Sequence, residues 1–181
     1  MSTATRLFYG EGIRAVGVER IIVEAPVTRA TFYRHFPSKE DLVLAYLRGV
    51  DAQTVDTVQA AVAGARSPAD GVRRIATAVE DDLTRPGFRG CAFLKAAAEY
   101  PDPQDPVRRL VLAHRDWYRG VLTGLFSDVF GDSPRRGRPE DAAQHFVMMR
   151  DGVMTGAHLD GVENARAAFR RGVEGVLTML H

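Results

Sequence analysis

One cysteine, Cys91, stands among 181 residues, so no internal disulfide can brace the fold. No apolar run approaches the length of a membrane-spanning helix, and the first residues lack the basic-then-apolar pattern of a secretory signal. A cytoplasmic protein is therefore the expectation. Net charge is scarce as well. At +1 overall, no global field draws the chain to nucleic acid or membrane, and any polyanion must be recognised locally. Sustained period-two alternation is missing, which argues against a sheet. The five histidines, at 35, 114, 145, 158 and 181, show none of the spacings that hold zinc or a di-iron centre. "GEGIRA" at 10–15 fits the letters of a dinucleotide loop but has no strand before it. With no nucleophile elbow, P-loop or paired carboxylates either, the chain reads as a non-enzyme with no cofactor.

One local absence has a positive meaning. From Val27 to Lys39, thirteen residues contain no Asp or Glu, yet they include Arg29, Arg34 and Lys39. Residues 1–50 carry seven Lys/Arg against five Asp/Glu, while the remainder carries seventeen against eighteen. The imbalance is small, but it has the sign that an N-terminal anion-binding module needs.

What the chain does hold is helical patterning throughout, and the predicted fold class is all-α with about nine helices. Thr3–Gly10 forms a short first helix. In "GVERIIVEA", Val18, Ile21, Ile22 and Ala25 recur at helical spacing until Pro26 intervenes. Thr28 is a good N-cap for a third segment, which turns Phe32 and Phe36 inward and ends at Pro37. Ser38 with Asp41 opens a fourth helix in capping-box fashion, running to about Gly64. Further helices are expected at Gly71–Thr84, Cys91–Tyr100, Pro106–Phe130, Glu140–Leu159 and Glu163–Leu180, with "GDSPRRGRP" a loop before the eighth.

The second and third helices lie about three residues apart, which is helix-turn-helix spacing. In such a unit the second helix enters the major groove while its neighbours hold the phosphates. Thr28 and Arg29 then sit at the end that first meets bases, with Thr31, Tyr33 and Arg34 facing outward. Lys39 stands beside the start of the fourth helix, where its charge adds to the helix dipole. A carboxylate in this stretch would repel the DNA backbone, which accounts for the missing acids.

The run "LFYGEGIRAVGVERIIVEAPVTRATFYRHFPSKEDLVLAYL" resembles the N-terminal domain of TetR/AcrR-family transcriptional regulators. Residues 31–40 carry the family's Thr-aromatic-Tyr-x-His-Phe-x-x-Lys-Glu element, and "FRGCAFLKAAAEYPDP" is similar to a stretch in many members. The resemblance implies a DNA-binding domain at residues 1–46 and a ligand-binding and dimerisation domain at residues 47–181. It implies a homodimer bound to a pseudo-palindromic operator and released by a small effector. Carried over by motif, the DNA contacts are Thr28, Arg29, Thr31, Tyr33, Arg34, His35 and Lys39, with His35 suited more to a structural role. The family's first helix usually begins some ten residues before this Met1, so a native start upstream is expected. The alternative reading is a small-molecule-binding helical dimer whose DNA binding is weak or lost through that shortened helix. Pro26 stands where the family's turn carries glycine. Proline can neither take positive φ nor donate an N–H, so the second helix is expected to end a residue early with a reshaped turn.

In the rest of the chain, Phe93, His114, Trp117, Tyr118, Met148, Asp151 and Met154 are the candidate ligand-binding residues. The effector they suit is mostly apolar, since they offer few polar groups. Four have a plainer reading: His114 as a hydrogen-bonded core histidine, Asp151 as an acid paired with an arginine, and the two methionines as core filling. Cys91 has only Arg89 as a nearby cation in the sequence, so inert burial is expected. "VEDDL" at 79–83 reads as a solvated face. Ala165, Ala168, Gly172 and Gly175 make the ninth helix a close-approach surface, and with the eighth it forms the expected dimer contact.

Overall fold

The computed structural model describes residues 1–131 and 137–178. Among them are nine helices and no strand: α1 Ser2–Glu11, α2 Val18–Glu24, α3 Arg29–His35, α4 Lys39–Ala63, α5 Pro68–Thr84, α6 Ala92–Glu99, α7 Pro106–Phe130, α8 Pro139–Leu159 and α9 Val162–Leu177. The all-α expectation holds. No described helix is long and apolar enough to cross a membrane. Most of the "GDSPRRGRP" loop and the expected last turn of α9 lie outside the described residues.

Side-chain caps set the starts of α3, α4 and α5. Thr28 Oγ1 accepts from the Thr31 N–H at 3.1 Å and starts α3. Ser38 and Asp41 exchange bonds, Asp41 N–H to Ser38 Oγ at 3.1 Å and Ser38 N–H to the Asp41 carboxylate at 3.0 Å. The same device starts α5 three residues before the expected Gly71. Ser67 caps the Asp70 N–H, Asp70 accepts from the Arg66 N–H, and Pro68 fills the first helical position. The periodicity of apolar residues begins only at Gly71, which is why pattern alone placed the start late.

The chain divides into two compact units. The first comprises Met1–Gln53 and Ala92–His114, so α6 and the beginning of α7 pack with the first helices. Its core is built on Leu7, Phe8, Val16, Leu42, Val43 and Leu47, all fully buried. Phe8 meets Tyr46 at 5.7 Å between ring centres. Arg6 and Arg20 both reach Glu24, and Arg20 also reaches Glu11. Those hydrogen bonds hold the Glu24 carboxyl below its ordinary value.

The second unit comprises Thr54–Cys91 and Arg115–His181, and in it α5, α8 and α9 pack on one another. Glu80 of α5 is buried and receives Arg170 at 2.7 Å and Arg166 at 3.4 Å from α9. This corrects the reading of residues 79–83 as a solvated face. Val79, Glu80 and Leu83 point inward, leaving Asp81 exposed. Gly172 likewise serves packing within the chain. A Cβ there would overlap Met149 Sδ of α8, so the small residue lets these two helices meet.

Replacing Gly172 with alanine sets two effects against each other. Alanine favours the helix by about 1 kcal/mol, whereas overpacking costs about 1–3 kcal/mol. A net loss of about 1 kcal/mol is expected. In a Met149→Ala background the same change should instead stabilise, because the clash is gone. Urea unfolding of the four proteins checks this.

Candidate functional site

The helix-turn-helix begins with α2 and its exit. Ala25 N–H bonds to Ile21 C=O at 2.8 Å, and Val27 N–H reaches back to Ile22 C=O at 3.4 Å. That second, six-to-one bond is the mark of a Schellman closure, and its left-handed position falls on Pro26. The backbone holds Pro26 at φ 21°. As expected, α2 ends at Glu24. The turn, however, is not reshaped around the proline: the positive φ that suits glycine is imposed on it.

Beyond this turn, α3 buries Phe32, whose ring meets Tyr33 edge-on at 5.2 Å and lies 5.9 Å from Phe36. Tyr33, Arg34 and His35 are exposed on the other side, and Thr31 is half-buried. The exposure of His35 gives it no core role. Thr28 and Thr31 also share a hydroxyl bond of 2.9 Å, so both are engaged at the N-terminal end. Arg29 is exposed but donates to Glu19 of α2 at 2.7 Å. Lys39 is half-buried, and its Nζ lies 3.4 Å from the Arg14 carbonyl in the turn between α1 and α2. Burial pushes the Lys39 ammonium below its ordinary value, and Glu99 opposes that shift.

The remaining candidates fall in two groups. In the first unit, the rings of Phe93 on α6 and His114 on α7 stack at 3.7 Å and 7°. His114 Nδ1 is 2.6 Å from the carboxylate of Asp51 on α4, so the ring donates that proton. The hydrogen-bonded core histidine is thus the observed arrangement.

In the second unit, Asp151 of α8 accepts from Arg115 of α7 at 2.6 Å and from Arg150 at 3.1 Å. Arg150 also donates to Cys91 Sγ at 3.2 Å and lies 5.7 Å from the Tyr118 ring centre. Burial opposes its charge, but Cys91, Tyr118 and Asp151 more than offset this and raise it above its ordinary value. Tyr118 is buried, and desolvation pushes its hydroxyl up to about 12. Trp117 is half-buried beside it, with ring centres 6.3 Å apart. Met154 is buried, whereas Met148 is 57% exposed and stands apart from this cluster.

The environment of Cys91 corrects the expectation that only Arg89 lies near it. The cation comes from α8, 59 residues later, where no local pattern could reveal it. Arg115 escaped the reading for the same reason, since Asp151 lies 36 residues beyond it, and the pair gives Asp151 the arginine partner of its plainer reading. Among the described residues no three His, Cys, Asp or Glu side chains gather as a metal site would require.

The family model described as "Bacterial regulatory proteins, tetR family" matches residues 1–46. The crystal structure of a TetR-family transcriptional regulator from Streptomyces coelicolor superposes with a TM-score of 0.92 at 49% identity, covering 97% of this chain and 90% of that one. A TetR transcriptional regulator from Chloroflexus aurantiacus shares the fold at TM-score 0.83 and 21% identity, over 98% and 92% of the two chains. The transcriptional regulator AcuR of Cereibacter sphaeroides is 26% identical over 156 residues, 83% of this chain and 70% of its own. A capped, outward-facing helix after a tight turn, followed by a helical bundle, agrees with these likenesses: the chain belongs to the TetR family of bacterial transcriptional regulators.

Proposed function

We propose that the protein is a repressor which binds a pseudo-palindromic operator through residues 1–46 and leaves it when a small, mostly apolar effector binds within residues 47–181. The observation carrying the DNA half is the outward face of α3. Arg29, Tyr33 and Arg34 are exposed there, in a stretch free of carboxylates, above a buried Phe32. Arg29 must leave Glu19 to read a base. That exposed pair contributes about 0–1 kcal/mol, less than a bidentate guanine contact supplies. For the effector half, the buried Tyr118 and Met154 and the arginine-paired Asp151 put apolar side chains and one charged network on α7 and α8, which suits an apolar molecule bearing a single polar group. The dimer forms through α8 and α9, whose exposed Met148, Leu159 and Ala168 offer apolar surface for a two-fold contact.

Selection of duplexes from a random pool, followed by titration at two salt concentrations, tests the reading. Affinity should fall steeply with salt, since phosphate contacts release counterions. Tyr33→Ala should weaken binding to every duplex by a similar factor, because a phosphate contact carries no base information. Arg29→Ala should relax preference at one operator position by about 1–3 kcal/mol. An Arg29→Ala protein that selects the wild-type sequence would remove that residue from base reading. The second reading, a small-molecule-binding dimer with weak DNA affinity, is favoured by the strained Pro26 turn. Salt-insensitive, sequence-blind binding would support it.

A further inference from the structure

On α7 and α8 two arginines share one carboxylate. Asp151 accepts from Arg115 on Oδ2 at 2.6 Å and from Arg150 on Oδ1 at 3.1 Å, so both of its oxygens are engaged. Two cations against one anion leave this cluster with an excess positive charge. An arginine stays charged in a protein, so the excess cannot be shed by losing a proton, as a lysine's can. Tyr118 does not supply the missing anion, because burial keeps its hydroxyl protonated at neutral pH. Asp82 acts on Tyr118 from α5 but already holds Arg85 at 3.3 Å.

The excess bears most on Arg150, whose side chain is 14% exposed against 34% for Arg115. Arg150 spends a single nitrogen, Nη1, on both Asp151 and Cys91 Sγ. Among the described residues, its Nε and Nη2 meet no acceptor. No described buried side-chain nitrogen lacks a partner, so these two donors keep access to solvent. Together they form one edge of the guanidinium, whose parallel N–H bonds match the two oxygens of a carboxylate. The protein uses that edge elsewhere: Arg73 gives Nε and Nη2 to the two oxygens of Glu174, each at 2.7 Å. Beside the Arg150 fork the surroundings are apolar. The Tyr118 ring centre lies 5.7 Å away, and the buried Met154 stands one turn along α8. An ion pair formed there is screened less than one at the surface.

We propose that the effector is an apolar monocarboxylate, and that the Nε–Nη2 edge of Arg150 is the site that binds its carboxylate. The role as effector rests on the proposed function, but the anion site does not. A monoanion cancels the excess charge, whereas a neutral amide leaves it in place.

Matched acids and amides test this on the full-length protein without DNA: hexanoate against hexanamide, and phenylacetate against phenylacetamide. Calorimetry gives the affinities, and the Nε–H resonance of Arg150, identified by its loss in Arg150→Met, reports the site. At least one acid should bind about tenfold tighter than its amide and move that resonance. Arg150→Met should abolish the preference, while Asp151 keeps Arg115 as its partner. Arg150→Lys retains the charge without the fork and should bind the acid about threefold more weakly than the wild type. It guards against a methionine variant that fails to fold. Asp151→Asn is the deciding variant, because it removes the one anion of the cluster. The acid should then bind more tightly with the amide unchanged, whereas damage to the site would weaken both. Equal binding of acid and amide to the wild-type protein, or a preference that survives Arg150→Met, overturns the proposal. So does an acid that binds only after Cys91→Ala, since the thiolate would then already be the counter-ion. A duplex selected by the wild-type protein reads the effector role separately. An acid that binds at Arg150 without displacing the duplex sinks the release reading and leaves the site standing. Amides that displace it as well as the acids do would remove the carboxylate from the effector.

Discussion

Replacing Pro26 with glycine should stabilise the protein by about 1–2 kcal/mol and tighten its hold on DNA. The left-handed position of the α2 closure falls on this residue, and its φ of 21° is far from the value near −65° that the ring prefers. Strain of this kind costs about 1–3 kcal/mol. Proline also lacks the N–H that this closure normally bonds to the carbonyl of residue 23, leaving only the 3.4 Å bond from Val27 to Ile22. Glycine removes the strain and restores the donor. Opposing this, glycine frees the unfolded chain and gives back about 0.4–1 kcal/mol. The strain term is the larger, so the net change is favourable. Relief of strain also lets the turn settle at its own optimum, and that turn sets the angle at which α3 is presented. Thermal unfolding and titration of a selected duplex at one fixed salt concentration check both parts. A glycine variant that melts no higher and binds no tighter would mean that the turn tolerates the proline without cost.

How much of this was legible in the sequence depended on the range of the interactions. Caps are local, so Thr28 and the Ser38–Asp41 pair could be read directly and found in place. The inward Phe32 followed from helical periodicity, which is local too. Charge could not be read in this way. Glu80 and Glu99 look like ordinary surface acids, yet each is satisfied by a group 85 or more residues away. Cys91 looked isolated for the same reason. At the turn, the sequence argument identified the correct residue but the wrong response. Proline's preference was expected to reshape the chain, whereas the Val27–Ile22 bond closes α2 and Pro26 stands at positive φ within that closure.

The Glu80 network makes the second large prediction, and its asymmetry is the test. Glu80 is about 2% exposed at its side chain, while Arg166 and Arg170 are 24% and 61% exposed. Its hydrogen bond holds Arg170 above the ordinary guanidinium range. Arg166 and Arg170 are four residues apart, on one face of α9, so both reach the same carboxylate of α5. Removing both cations, as in Arg166→Met with Arg170→Met, would strand a negative charge in the packed interface and should cost about 3–5 kcal/mol. Removing the acid instead strands nothing comparable. Arg170 can turn into water, Arg166 keeps Glu163 at 3.2 Å, and a methionine can occupy the vacated volume. Glu80→Met should therefore cost far less than the double arginine variant, despite deleting the residue at the centre of the network. Urea unfolding of the three proteins at neutral pH separates the outcomes. Equal losses for Glu80→Met and the arginine pair would mean that packing volume rather than charge holds α9 on α5.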